Sequence, residues 1–191
     1  MTTELLYVVA ANQPAEAPPA TREATLVAEA RAGDREAFGT LYNLYAPMVH
    51  GILLARVPFA EVDDLMQDVF LLAFRKINAL RDANAFGGWL AMIARNCAIA
   101  FHRRRQTCEE LTEDAVSAKT VDADSHATEI LDAIHALPEA YRETLILRLV
   151  EGMTGPEIAA RTDLTPDSVR VNLHRGIKML RAKLRQGGGN R

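Results

Sequence analysis

Cysteine is nearly absent: Cys97 and Cys108 are the only two in 191 residues. Their spacing fits neither a disulfide framework nor the paired ligands of a zinc site, so a reducing cytoplasm is the expected compartment and no bound metal is expected. Long apolar runs are missing too. A membrane span needs roughly 18 residues, and the best stretch, 48–60, is interrupted by His50, Arg56 and Pro58. The start of the chain carries Glu4 where a signal peptide would have a basic region, and its apolar run 5–11 is short. Neither secretion nor membrane insertion is therefore expected. No segment sustains a period-two alternation rich in β-branched residues, which argues against strands. There is no glycine-rich phosphate loop, no His-Glu-x-x-His and no Gly-x-Ser-x-Gly. The expectation is no enzyme, no catalytic residue and no cofactor.

What is present is a soluble-globular composition, 49% hydrophobic and 25% charged, which excludes disorder for the bulk of the chain. Its length suits one ordinary domain or two small ones. The net charge of −3 is unevenly spread. Residues 86–105 hold Arg95, Arg103, Arg104 and Arg105 and no acid, and residues 161–191 hold six Arg and two Lys against Asp163 and Asp167. Between them, residues 106–128 carry Glu109, Glu110, Glu113, Asp114, Asp122 and Asp124 against Lys119 alone. Separated basic blocks are what anion-binding surfaces require, although on charge alone a solvated face explains them as well.

Periodicity and breakers divide the chain. Pro14, Pro18 and Pro19 mark residues 1–21 as a tail. Helices are predicted near 23–32, from Asp34 through Tyr45, from Pro47 to Val57, over 61–77 and over 85–105. After the acidic linker, 106–127, four more follow near 129–137, 139–151, 156–162 and 166–185, with 187–191 as a second tail. The fold class is all-α, two small helical domains over 22–105 and 128–186 joined by a flexible acidic tether.

The sharpest signal lies in the second domain. A short helix with small Ala159 and Ala160 at the expected crossing, a turn at 163–165 and a long basic helix have the grammar of a helix-turn-helix. Thr165 followed by Pro166 is a good start for the second helix. On a helical wheel Val169, Leu173, Ile177, Leu180 and Leu184 share one face. The remainder presents Ser168, Arg170, Val171, Asn172, His174, Arg175 and Lys178, donors and cations suited to base edges and phosphates in a major groove. A merely amphipathic surface helix is the competing explanation.

Two features of the first domain are less specific. Phe86, Trp89 and Phe101 alternate with Arg95, Asn96, His102, Arg103 and Arg104, a mixture that suits unstacked bases. Trp89, Leu90 and Ile93 read more simply as core, which leaves the stretch 96–105 as the better contact candidate. Asp63, Asp64, Gln67 and Asp68 gather at the start of the 61–77 helix. They either complement the helix dipole or form an acidic docking face. No His or Cys follows at metal-ligand spacing.

Taken in order, these parts resemble extracytoplasmic-function sigma factors. Asp63–Asp64–Leu65–Met66–Gln67–Asp68–Val69–Phe70, then Trp89–Leu90, Ile93–Ala94–Arg95–Asn96 and Arg103–Arg104–Arg105, are similar to the family's region 2. Leu137–Pro138–Glu139–Ala140–Tyr141–Arg142 and the helix-turn-helix up to Leu184 are similar to region 4. The resemblance implies a promoter-specificity subunit of core RNA polymerase, acting on a stress or envelope-type regulon. Asp63, Asp64, Gln67 and Asp68 would meet the β′ clamp helices, and region 4 would sit on the β flap. The 78–84 loop and Arg95, Asn96, His102, Arg103 and Arg104 would open and hold the −10 element. Ser168, Arg170, Val171, Asn172, His174, Arg175 and Lys178 would read the −35 element of promoter DNA. The few residues after Arg185 leave no room for a sensing domain, so an anti-sigma factor is the expected regulator. Gly87, Ala100 and Val171–Asn172 depart from the family pattern. A self-sufficient DNA-binding regulator and a polymerase-binding adaptor remain as alternatives.

Overall fold

The computed structural model describes residues 21–111 and 125–187, and these contain eight α-helices joined by turns and short 3₁₀ segments, with no strand. The all-α expectation holds. The 1–20 tail, the 112–124 part of the acidic linker and residues 188–191 lie outside the described residues.

Local chemistry sets the first helices. The Thr21 hydroxyl accepts from the Ala24 amide to start α1 (Arg22–Arg31), and Gly33 at φ 97° makes the turn that ends it. Asp34 then caps α2 (Arg35–Leu54), accepting from the Glu36 and Ala37 amides at 2.8 and 3.1 Å. A break was expected at Pro47, yet α2 runs straight through it. The proline forgoes one backbone hydrogen bond, but Leu41 and Tyr45 before it and Met48, Val49, Ile52 and Leu53 after it all enter one core. Burial of both halves outweighs the local cost. Next come α3 (Val62–Lys76) and α4 (Phe86–Leu111). The latter continues past Arg105 into the acidic stretch, where Glu109 and Glu110 are strong helix formers. These four helices pack around Leu41, Tyr45, Val69, Phe86, Leu90 and Ala94.

The second unit comprises α5 (Ser125–His135), α6 (Glu139–Leu149), α7 (Gly155–Thr162) and α8 (Pro166–Gly187). Its core is Ile134, Leu145, Ile146, Ile158, Val169 and Leu180, with Leu173 and Ile177 partly buried beside it. Leu184, expected on the same face, is exposed. Close helix approach is made by glycine. A Cβ on Gly176 would come within 2.9 Å of Leu145 Cδ1 and 3.3 Å of Tyr141 Cβ, so the close approach of α8 to α6 uses the space left by the missing side chain. Ala160, expected at the crossing within the helix-turn-helix, is exposed instead.

The two units are packed against each other, α6 on α2 and α7 on α4. The sequence carried no expectation of this contact.

Candidate nucleic-acid interface

Short-range bonds build the helix-turn-helix. Thr154 and Glu157 form a capping box at the start of α7, and hydrogen bonds from Thr154 hold the Glu157 carboxyl below its usual range. Asp163 ends the helix in the left-handed region at φ 62°, which reverses the chain within the 163–165 turn. The Thr165 hydroxyl then accepts from the Ser168 amide at 3.1 Å. Ser168 Oγ lies 2.7 Å from the same hydroxyl, so this candidate contact is also part of the cap. Beyond it Arg170, Val171, His174, Arg175 and Lys178 are exposed along α8, with Arg170 3.1 Å from exposed Asp167. Asn172 is half-buried and turned toward the cleft between the units. One exposed face therefore carries three guanidinium or ammonium groups, an imidazole and one aliphatic side chain.

On the first unit, Asn96, His102, Arg103 and Arg104 are exposed near the end of α4. His102 Nε2–H donates to the Arg56 carbonyl at 2.7 Å, which orients its ring. Trp89 is half-buried, while Leu90 and Ile93 are buried. The neighbouring 78–84 loop is tied down from three sides. Arg31 donates to the Ile77 carbonyl at 3.2 Å and also to that of Leu80. Asp82 accepts from the Asn84 amide, and the Thr21 hydroxyl donates to Asn84. Asn78, Arg81, Asp82 and Asn84 stay exposed on this fixed loop. Asp63, Asp64, Gln67 and Asp68 are all exposed on α3, and Leu71 and Phe74 continue outward from the same helix.

Arg95 lies apart from its predicted companions. Its guanidinium enters the cleft between the units and donates to both oxygens of Glu143 on α6, at 2.6 and 3.2 Å, and to the Thr162 carbonyl at 3.2 Å. Burial opposes its charge, but bonding to Glu143 outweighs that and raises its pKa. Arg56 Nη1 stands 2.7 Å from Glu143 on the other side, too steeply angled for a hydrogen bond and held by charge alone. Sequence reasoning missed Glu143 and Arg56. A signal existed: each is a charge embedded in an apolar stretch, Glu143 before Leu145–Ile146–Leu147 and Arg56 within 48–60. A charge so placed needs a buried partner. Cys97 is half-buried beneath this surface and its thiol is pushed up by burial and by Asp68, which disfavours a reactive thiolate.

With this geometry in view, comparison with known proteins is informative. Residues 41–108 match the Sigma-70 region 2 family and residues 127–180 match Sigma-70, region 4. The chain is 32% identical over 176 residues to the ECF RNA polymerase sigma-E factor of Haemophilus influenzae, covering 83% of this chain and 93% of that protein. It is 34% identical over 161 residues to the RNA polymerase sigma factor CarQ of Myxococcus xanthus, covering 81% and 92%. Among solved structures, CnrH in complex with the cytosolic domain of CnrY aligns with a TM-score of 0.61 at 24% identity, over 86% of this chain and 97% of that one. The sigma factor RpoE in complex with the anti-sigma factor NepR from Bartonella quintana aligns with a TM-score of 0.55 at 19% identity, over 78% and 96%. At those identities the two structures speak for the fold alone. Two family regions in the right order, each on its own helical unit, together with relatives matched over nearly their whole length, show that this chain belongs to the extracytoplasmic-function family of RNA polymerase sigma factors, which direct transcription initiation.

Proposed function

We propose that this sigma factor docks on core polymerase through α3 and reads promoters with two DNA-facing surfaces, one on each unit. Asp63, Asp64, Gln67 and Asp68 make the polymerase contact at the β′ clamp helices, and the second unit rests on the β flap. Asn96, His102, Arg103 and Arg104, with the fixed 78–84 loop, engage the opened −10 element, and Arg95 joins them once released from Glu143. Ser168, Arg170, Val171, Asn172, His174, Arg175 and Lys178 read the −35 element. Val171 offers a methyl surface to a thymine where a hydrogen-bonding side chain would favour other bases. The observation that carries this reading is the exposed cationic face of α8 behind a fully capped helix-turn-helix, in one chain with a second basic surface on α4.

CnrH was solved in complex with the cytosolic domain of CnrY, and the sigma factor RpoE in complex with the anti-sigma factor NepR. By analogy an anti-sigma partner holds this chain in the cytoplasm until a stress or envelope signal releases it. The experiment is transcription of the native genome by sigma-free core polymerase with and without the chain, sequencing RNA 5′ ends. New starts sharing two upstream elements are expected. Their absence, with a control sigma active, would refute the proposal.

A further inference from the structure

We propose that α1, which carries none of the DNA contacts assigned above, governs base choice at the −10 element: Arg31, with Thr21, is a positioning residue that fixes the 78–84 loop in the geometry that reads bases. This rests on the −10 role given above to that loop.

The loop has little to hold it by itself. It joins α3 to α4 through two single 3₁₀ turns, Ile77–Ala79 and Ala83–Ala85, with Leu80 and Asp82 extended between them. Its own backbone supplies two hydrogen bonds, from the Leu80 amide to the Ile77 carbonyl at 3.3 Å and from the Ala85 amide to the Asp82 carbonyl at 3.1 Å. Ile77 and Leu80 are buried, and beyond them Arg81, Asp82 and Asn84 are exposed. A segment of this kind opens locally at little cost unless another element occupies its polar groups.

That element is α1. Its buried row of Ala24, Val27 and Ala30 seats it in the core, and it packs against both 3₁₀ turns. Half-buried Arg31, in its last turn, donates from Nε to the Ile77 carbonyl at 3.2 Å and from Nη2 to the Leu80 carbonyl. Two donors on one planar fork set the spacing of the two carbonyls, which a single ammonium does not. At the other end of α1 the Thr21 hydroxyl accepts from the Ala24 amide and donates to Asn84 Oδ1 at 2.9 Å. Asn84 Nδ2 in turn donates to Asp82 at 3.2 Å. One rigid helix thus grips the loop near its two ends.

The division of labour among the loop's side chains is an independent observation. Asp82 and Asn84 are engaged in holding the loop. Exposed Asn78 and Arg81 have no hydrogen-bond or ion-pair partner among the described residues. A loop that only connected two helices would need no third element to fix its carbonyls. A fixed backbone that offers two unengaged donor side chains to solvent is what base selection requires, because donors discriminate only when held to within about 0.5 Å of the productive position.

The test is run-off transcription by core polymerase reconstituted with the full-length chain, on one native promoter whose −10 element has been randomised. Arg31→Met removes both donors and keeps an unbranched stem, Arg31→Lys keeps the charge without the fork, and a loop variant combines Asn78→Ala with Arg81→Ala. Arg31→Met is expected to lower the preference for the favoured −10 base by about tenfold, the order carried by one base contact, at the positions that the loop variant alters. Arg31→Lys should lower it by less. Affinity for core polymerase and preference at the −35 element should not change, since α3 and α8 are untouched. A uniform loss of activity with the −10 preference intact, or a wild-type preference in Arg31→Met, would overturn the proposal. Helix content by circular dichroism verifies folding, and if Arg31→Met does not fold, the same outcomes are read on Arg31→Lys. Amide hydrogen exchange over 77–86 should quicken in Arg31→Met, and unchanged exchange would overturn the positioning role by itself. If the loop variant leaves every −10 preference as it was, the −10 reading of the loop fails and this inference with it; if the loop variant alters them and Arg31→Met does not, only the role of α1 fails.

Discussion

Glu143→Gln isolates the charge at the centre of the contact that closes one unit on the other. The substitution preserves shape and one acceptor oxygen but removes the anion between Arg56 and Arg95, Arg56 keeping only the exposed Glu139 at 3.2 Å. Each pair has charges about 4 Å apart, worth about 4 kcal/mol at an effective dielectric of 20. Desolvation of three ionic groups offsets much of this, and removing one partner of a buried pair costs about 3–5 kcal/mol in general. The Arg95 side chain is 27% exposed and that of Arg56 14%, so water screens the loss. We take about 2 kcal/mol, a factor of about thirty in the ratio of closed to open chain. The strain has an outlet. Glu143 meets both arginines only across the boundary, so separation of the units relieves it without unfolding either one. Urea unfolding followed by tryptophan fluorescence, where Trp89 reports the first unit, and by far-ultraviolet circular dichroism tests this. Coincident transitions in the wild type should split in Glu143→Gln, with the first unit's midpoint little changed. A uniform loss of stability with both probes still coincident would refute the reasoning, and so would no change at all.

Protonation of His50 gives a second handle. Its bond to Glu151 raises its pKa above the usual 6.5, burial partly opposes this, and Asp63 on α3 adds to the rise. The contribution to closure is complete below about pH 6.5, the open-chain value, and fades as pH rises through the closed-state value. The radius of gyration should therefore increase between pH 6 and 8 (about the range in which imidazole titrates), and His50→Gln should remove the dependence. Reversing charge at Asp64 and Asp68 to Lys should weaken binding to core polymerase by about tenfold or more through like-charge repulsion, with helix content unchanged because both side chains are exposed; unchanged affinity in a pull-down titration would reject α3 as the docking face. Leu145→Ala should cost about 2–5 kcal/mol in the second unit, since Leu145 is fully buried and abuts Gly176, and calorimetry should show that loss.

Much of the candidate site was legible because its cues are local. The Thr165–Pro166 start, the Asp34 cap and the spacing of Val169, Leu173 and Ile177 act within one or two turns of helix, so residue identity alone determines them. The exposure of Asp63, Asp64, Gln67 and Asp68 follows from the opposite, buried row of Leu65, Val69 and Ala73. At Pro47 local rules competed with burial and burial won: the proline carries a strong helix-breaking signal, and the core on both sides of it overrides that signal. The end of α4 was placed too early because the arginine cluster reads as a terminus while the acids after it still favour helix.

The amino-acid sequence by itself determined two helical units, a capped helix-turn-helix and which faces carry cations and which carry acids, since helical period and capping chemistry operate over a few residues. Only the tertiary structure decided that the units close on each other, that Arg95 turns away from Arg103 and Arg104 to meet Glu143, and that Gly51 and Gly88 are contact points. The partners lie tens of residues apart, Arg95 and Glu143 by 48 and His50 and Glu151 by 101. No periodicity spans such separations, and complementarity between two surfaces exists only once both have folded.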